Sequence, residues 1–186
     1  MGTVSQKELK KLFKNIDAKL TAIIDIYIIG GASAILGYNV IKETNDVDLD
    51  GGIDSEFNRI FLAEAKKLKL DLHLSSKGVF SPPENYRARM IEETFPKKKL
   101  RVWYLDQYDL AISKIDRGIE KDLEDLKRVH AKSPFEVSRL VEIFNSEYIK
   151  VSAIGNPREK MMTLLDLVSM LFDDDVRDQV KKDIGF

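Results

Sequence analysis

The run Ile26-Tyr27-Ile28-Ile29, ending in Gly30-Gly31 and followed downstream by Asn45-Asp46-Val47-Asp48-Leu49-Asp50, constrains this chain more than any other feature. The first segment is a continuous apolar stretch closed by glycines, the pattern of a buried strand. The second alternates acidic and apolar residues. Side chains two apart in a strand share a face, so Asp46 and Asp48 project side by side, with Asp50 at the strand end reading as a turn residue. Parallel carboxylates repel each other unless a cation lies between them. A hard dication with oxygen ligands that also grips a phosphate, Mg2+ or Mn2+, suits such a pair. The glycines let backbone approach a ligand closely, and a helix opening behind them turns its first N–H groups towards an anion. Strand, glycine pair, helix and paired aspartates in that order describe a nucleoside triphosphate site with Asp46 and Asp48 as metal ligands. Each part alone is common; the order is not.

The remaining composition narrows the setting. A chain of 186 residues, 44% of them apolar, can bury one core with a helical appendage. Lys and Arg total 30 against 31 Asp and Glu, so no global charge draws the chain to nucleic acid or to an anionic membrane. Cysteine is absent and the two histidines are far apart, which argues against disulfides and a histidine-based zinc centre. The first residues carry no apolar leader and no run reaches the length of a membrane span. The expectation is a soluble cytoplasmic protein with no membrane partner.

Periodicity predicts a mixed α+β fold. Residues 5 to about 23 read as an amphipathic helix with Leu9, Leu12, Phe13, Ile16 and Leu20 inward, opened by a Ser5/Glu8 capping box. Strands follow at 26–29, 46–49, 70–74 and 100–105, and helices at 32–36 (stopped near Gly37), 55–68, 107–115 and 120–131, with a break at Gly118. Ser133-Pro134-Phe135-Glu136 reads as a helix start, and Asn156-Pro157 opens a last helix to about Phe172. Residues 1–110 are expected to form an α/β core, a small mixed sheet flanked by helices. Residues 111–186 form a helical half, packed on the core or continuous with it as one domain.

The glycine and aspartate segments resemble the DNA polymerase beta-like nucleotidyltransferase superfamily, whose signature is an apolar residue, Gly, Gly or Ser, then Asp-apolar-Asp-apolar. A second stretch resembles AbiE-type nucleotidyltransferase toxins. Its Tyr108-Asp109-Leu110-Ala111-Ile112-Ser113-Lys114-Ile115-Asp116-Arg117 and Lys121-Asp122-Leu123-Glu124-Asp125-Leu126 are similar to their lysine and Asp-x-x-Asp motifs. Thr44-Asn45-Asp46-Val47-Asp48 is similar to their first motif. The resemblance covers residues 26–130 and implies transfer of a nucleoside monophosphate from an NTP to a hydroxyl. The acceptor is open between tRNA, protein and small molecule, and a role as the toxin of a toxin–antitoxin or phage-defence pair, with an antitoxin partner, is implied. Gly30, Gly31, Ser33 and Thr44 are the implied nucleotide-binding positions, and Lys114, Asp122 and Asp125 the implied catalytic ones. Asp122 and Asp125 share a helical face and either aim at the metal or orient Lys114, itself a point charge for a phosphate. Asp71, flanked by Leu70 and Leu72, is the candidate third carboxylate.

Other residues read as structural. His73 is a half-buried strand position, His130 suits a helix C-terminus, and Trp103 and Tyr104 are core residues. Lys97-Lys98-Lys99 is either a solvated loop or a contact for an RNA backbone. The apolar cluster Met161, Met162, Leu164, Leu165, Leu167, Val168 and Leu171 is helix core or a subunit contact. The alternative function is a catalytically silent nucleotidyltransferase-like binding domain.

Overall fold

The computed structural model describes residues 3–40, 42–76, 82–115, 119–149 and 156–186. The chain divides into two compact units, residues 1–80 with 89–106, and residues 81–88 with 107–186. Asp116, Arg117 and the expected break at Gly118 lie outside the described residues.

The first unit holds all the described strands. Strand β1 (Thr3–Val4) leads into helix α1 (Gln6–Asp17), whose capping box is formed as the sequence predicts: the Ser5 hydroxyl accepts the Glu8 N–H, and the Glu8 carboxylate accepts the Ser5 N–H. The Ser5 hydroxyl also donates to the Glu8 carboxylate at 2.7 Å, and that bond, followed by the one from the Ser5 N–H, holds the Glu8 carboxyl below its ordinary pKa. Strand β2 (Ile24–Ile28) runs into helix α2 (Gly30–Tyr38), followed by β3 (Lys42–Glu43), β4 (Asp46–Asp48), helix α3 (Ser55–Lys67) and β5 (His73–Ser75). Helix α4 (Tyr86–Arg89) crosses from the second unit back to the first, which closes with β6 (Ile91–Glu93) and β7 (Leu100–Tyr104). Strand β2 pairs parallel with β7, β7 antiparallel with β6, β4 parallel with β5, and β1 antiparallel with β3.

An isolated antiparallel bridge between Ile28 and Leu49 links the β4-β5 pair to the β2-β7-β6 sheet, in the order β5-β4-β2-β7-β6, while β1-β3 stays apart. The Ile29 N–H donates to the Asp48 carbonyl at 3.0 Å, and the Asp50 N–H to the Tyr27 carbonyl at 2.9 Å. Inward residues of this sheet, Ile26, Ile28, Val47, Leu49, Leu100 and Val102, share one core with Leu9, Leu12 and Phe13 of α1 and Phe57 and Phe61 of α3.

The second unit is helical: α5 (Gln107–Ile115), α6 (Glu120–His130), α7 (Val137–Ile143) continuing as a π-helical turn (Phe144–Tyr148), α8 (Pro157–Leu171) and α9 (Asp174–Asp183). Asn156 caps α8 through the Arg158 N–H, as its sequence predicts.

Several boundaries differ from the sequence reading. Helix α1 ends at Asp17, whose carboxylate accepts the N–H groups of Lys97, Lys99 and Leu100 at 2.7, 2.8 and 2.9 Å. Gly37 does not end α2, which runs to Tyr38 with Asn39 in the left-handed region at φ 52°. A Cβ on Gly37 would lie 2.6 Å from the Tyr104 ring, so the glycine makes room for an aromatic. Helix α7 opens at Val137 and not at Ser133. The N–H of Phe135 goes to His130 Nδ1 and that of Glu136 to the Tyr108 hydroxyl, while Ser133 bonds Gln107. The strand expected at 70–74 forms at 73–75 instead. Trp103 lies on the sheet face opposite the core and stacks on Tyr27, its indole donating to Asp25, whereas Tyr104 points inward.

Candidate active site

The first unit brings the glycine pair and the aspartates together. Gly30 is the first residue of α2 and has φ +62°, in the left-handed region where a side chain is strained. The N-cap residue of this helix is Ile29, which has no side chain able to accept an N–H of the first turn. A Cβ built on Gly30 would stand 3.0 Å from Asp48 Oδ2. The carboxylate of β4 therefore lies against the backbone that opens α2. Asp46 and Asp48 flank the buried Val47, with Asp46 exposed and Asp48 half-buried. Strand alternation places both on the sheet face away from the core, with Tyr27 and Trp103. Thr44 Oγ1 bonds the Asp46 N–H at 3.3 Å and its carbonyl at 3.1 Å, fixing how the chain enters β4.

The other residues expected in the first unit sit differently. Ser33 is fully buried, and its hydroxyl accepts the Leu105 N–H at 2.9 Å, tying α2 to the end of β7. Asp71 precedes β5, exposed, with Asn45 Nδ2 3.4 Å and His73 Nε2 3.6 Å from its carboxylate. The register partner of Asp48 on β5 is Ser75, and that of Asp46 is His73. Among the described residues no group of three acidic or histidine side chains is placed to hold a metal. Two carboxylates, Asp46 and Asp48, stand on the face of β4 away from the core.

The second unit assembles the other motif. Lys114 of α5 is 2% exposed, and its ammonium lies 2.7 Å from Asp122 Oδ1 and 3.3 Å from Asp125 Oδ2 of α6. Both aspartates are buried, and Arg128 reaches Asp125 at 3.8 Å. Spacing of three on α6 aims the two carboxylates at one point, and that point is Lys114. On α8, Lys160 is also buried, with its ammonium 4.9 Å from the centre of the Tyr148 ring.

Sequence reasoning missed Asp17, which fixes the turn before β7, although a signal existed. Asp17 follows Phe13 by four residues and so falls on the apolar stripe of α1, where an acid needs a buried partner. It also missed Lys160, whose position within the apolar pattern of α8 is a comparable sign.

A strand ending in glycine at a helix start, with an adjacent antiparallel strand laying a carboxylate on that glycine, is the arrangement expected of a nucleotidyltransferase core. Residues 7–167 match the model of the family described as nucleotidyltransferase of unknown function (DUF6036), and the chain belongs to that family. No curated protein and no solved structure matches the chain. No helix among the described residues is long and apolar enough to cross a membrane.

Proposed function

We propose that the chain is a metal-dependent nucleotidyltransferase that moves a nucleoside monophosphate from an NTP to a hydroxyl, with pyrophosphate leaving. The observation that carries this reading is the seat of the Asp48 carboxylate against Gly30, where a Cβ would stand 3.0 Å from Oδ2. A side chain there would fill the space between the metal-binding strand and the phosphate-binding helix start. Asp46 and Asp48 would hold Mg2+ or Mn2+, whose chemistry is to neutralise charge developing on the phosphates. The backbone N–H groups at the start of α2 suit the triphosphate oxygens. The acceptor oxygen attacks the α-phosphorus, forming the new P–O bond while the bond to pyrophosphate breaks and pyrophosphate takes its electron pair. The acceptor proton leaves to a base. Lys114, Asp122 and Asp125 act as a unit, the carboxylates holding the ammonium in one place. AbiE-like kinship, with a toxin role and an antitoxin partner, rests on the resemblance of the two motifs.

One observation favours a second reading, a nucleotidyltransferase-like domain that binds without chemistry: Ser75, not a carboxylate, stands beside Asp48. Calorimetric titration with Mg2+ and each NTP, for the native chain and for Asp46→Asn/Asp48→Asn, tests both. Metal-dependent binding that the variant loses, with release of pyrophosphate from a labelled NTP, is the expected result. Gly30→Ala should lose binding in parallel. Binding without turnover on any RNA, protein or small-molecule acceptor leaves the silent domain, and no binding at all refutes the site.

A further inference from the structure

We infer that the outer face of α1 and the turn before β7 form a docking track for a nucleic-acid strand. On α1, Lys7, Lys11 and Lys14 follow one another at four and three residues, so they share one stripe, about 4.5 to 6 Å apart along the axis. That stripe is exposed, and the opposite face is the buried Leu9, Leu12, Phe13 and Ile16. Asp17 then binds the backbone of the Lys97–Leu100 turn to the end of the same helix, which brings the exposed Lys97 and Lys98 to that end.

Neighbouring lysines have partners. Lys10 pairs with Glu93 at 2.7 Å, Lys19 and Lys67 share Glu64, and Lys99 donates to the Leu20 carbonyl. Lys7, Lys11, Lys14, Lys97 and Lys98 have no carboxylate within ion-pair reach among the described residues. In a chain with 31 acidic and 30 basic side chains, five exposed ammoniums without an ion-pair partner, on α1 and on the turn bound to its end, attract a polyanion. Lys98 holds φ +57°, where glycine would fit without strain, so a charged side chain stands at some conformational cost.

The track also has a direction. Its far end is the Lys97 turn before β7, at the level where β2 begins, since the Ile24 N–H donates to the Lys99 carbonyl. Its near end is the start of α1, where β1 pairs with Lys42–Glu43, three residues ahead of Asp46. A strand lying along α1 would thus run towards the aspartate strand. As an identification of the acceptor this rests on the nucleotidyl transfer proposed above; the binding itself does not.

The test is fluorescence anisotropy with a labelled 20-nucleotide oligouridine, titrated from 50 to 200 mM salt. Five phosphate contacts predict a log–log slope of about −3.5, hence about 100-fold weaker binding across that range. Lys11→Gln/Lys14→Gln/Lys98→Gly should reduce the slope by about 2. Lys98→Gly alone should bind RNA more weakly while melting no lower than the native chain, which a purely structural lysine would not do. Asp46→Asn/Asp48→Asn should retain RNA binding even if NTP binding is lost, so the two readings fail separately. The inference is overturned by salt-independent binding, by an unchanged triple variant, or by binding to phosphatidylserine vesicles with none to oligonucleotide.

Discussion

Replacing Lys114 by methionine removes the one ammonium that contacts both Asp122 and Asp125 in the helical unit. At an effective dielectric of about 20, contacts of 2.7 and 3.3 Å correspond to about 6 and 5 kcal/mol of gross attraction. Most of that offsets the desolvation of three buried charges, so the net loss is set by taking the buried ammonium away from two buried carboxylates, with Arg128 still 3.8 Å from Asp125. Removing one partner of a buried pair typically costs about 3–5 kcal/mol, a large share of the 5–15 kcal/mol that holds an ordinary domain folded. The assay is urea unfolding followed by far-ultraviolet circular dichroism, because the unit carrying Lys114 is helical. With a slope of about 2 kcal/mol per molar, the midpoint should fall by about 2 M. Trp103, the only tryptophan, sits in the first unit and gives a separate fluorescence trace. Adding Asp122→Asn to Lys114→Met should recover part of the loss, with a coupling of about 1–3 kcal/mol. A Lys114→Met change below about 1 kcal/mol, or strict additivity of the pair, would refute the argument that these charges hold one another.

Three further outcomes follow from other contacts. Gly37→Ala gains helix propensity of about 1 kcal/mol, yet its Cβ would meet the Tyr104 ring at 2.6 Å. Overpacking of about 1–3 kcal/mol should prevail, giving a lower melting temperature that Tyr104→Leu restores; a stabilised single variant would disprove the contact. Asp17→Ala deprives three N–H groups of their acceptor and should destabilise by about 3 kcal/mol or more, with amide exchange at Lys99 and Leu100 accelerated; unchanged protection would contradict it. The Glu64 carboxyl is held below its ordinary 4.5, chiefly by the Lys19 hydrogen bond and then by Lys67. A depressed carboxyl stabilises the fold above its unfolded pKa and loses that contribution as pH falls through the lower folded value. Glu64→Gln should therefore narrow the stability difference between pH 7 and pH 3, and identical acid unfolding in both proteins would count against the bond.

Local signals located much of this molecule. The Ser5/Glu8 box, the Asn156 cap, the apolar run before Gly30 and the alternation around Val47 each depend on neighbours a few residues apart. Such features are readable because chain geometry links nearby residues at fixed offsets. The α+β class followed from the same periodicities, with strands gathered early and helices late. Where local rules failed, a distant partner had intervened. Ser133 looked like a helix cap, but Tyr108, His130 and Gln107 take the groups involved. Gly37 looked like a stop until Tyr104 was placed beside it.

What the sequence by itself determined is the inventory: a glycine pair, alternate aspartates, and a lysine followed by aspartates three apart. Tertiary structure alone decided their pairing. It laid Asp48 on Gly30, set Ser75 in register beside it, and closed Asp122 and Asp125 around Lys114. It also turned Ser33 into the core towards Leu105 and used Asp17 to bring the Lys97 turn to α1. The reason is physical: a side chain's identity is local, but its hydrogen-bond partner and burial depend on which remote segment packs against it.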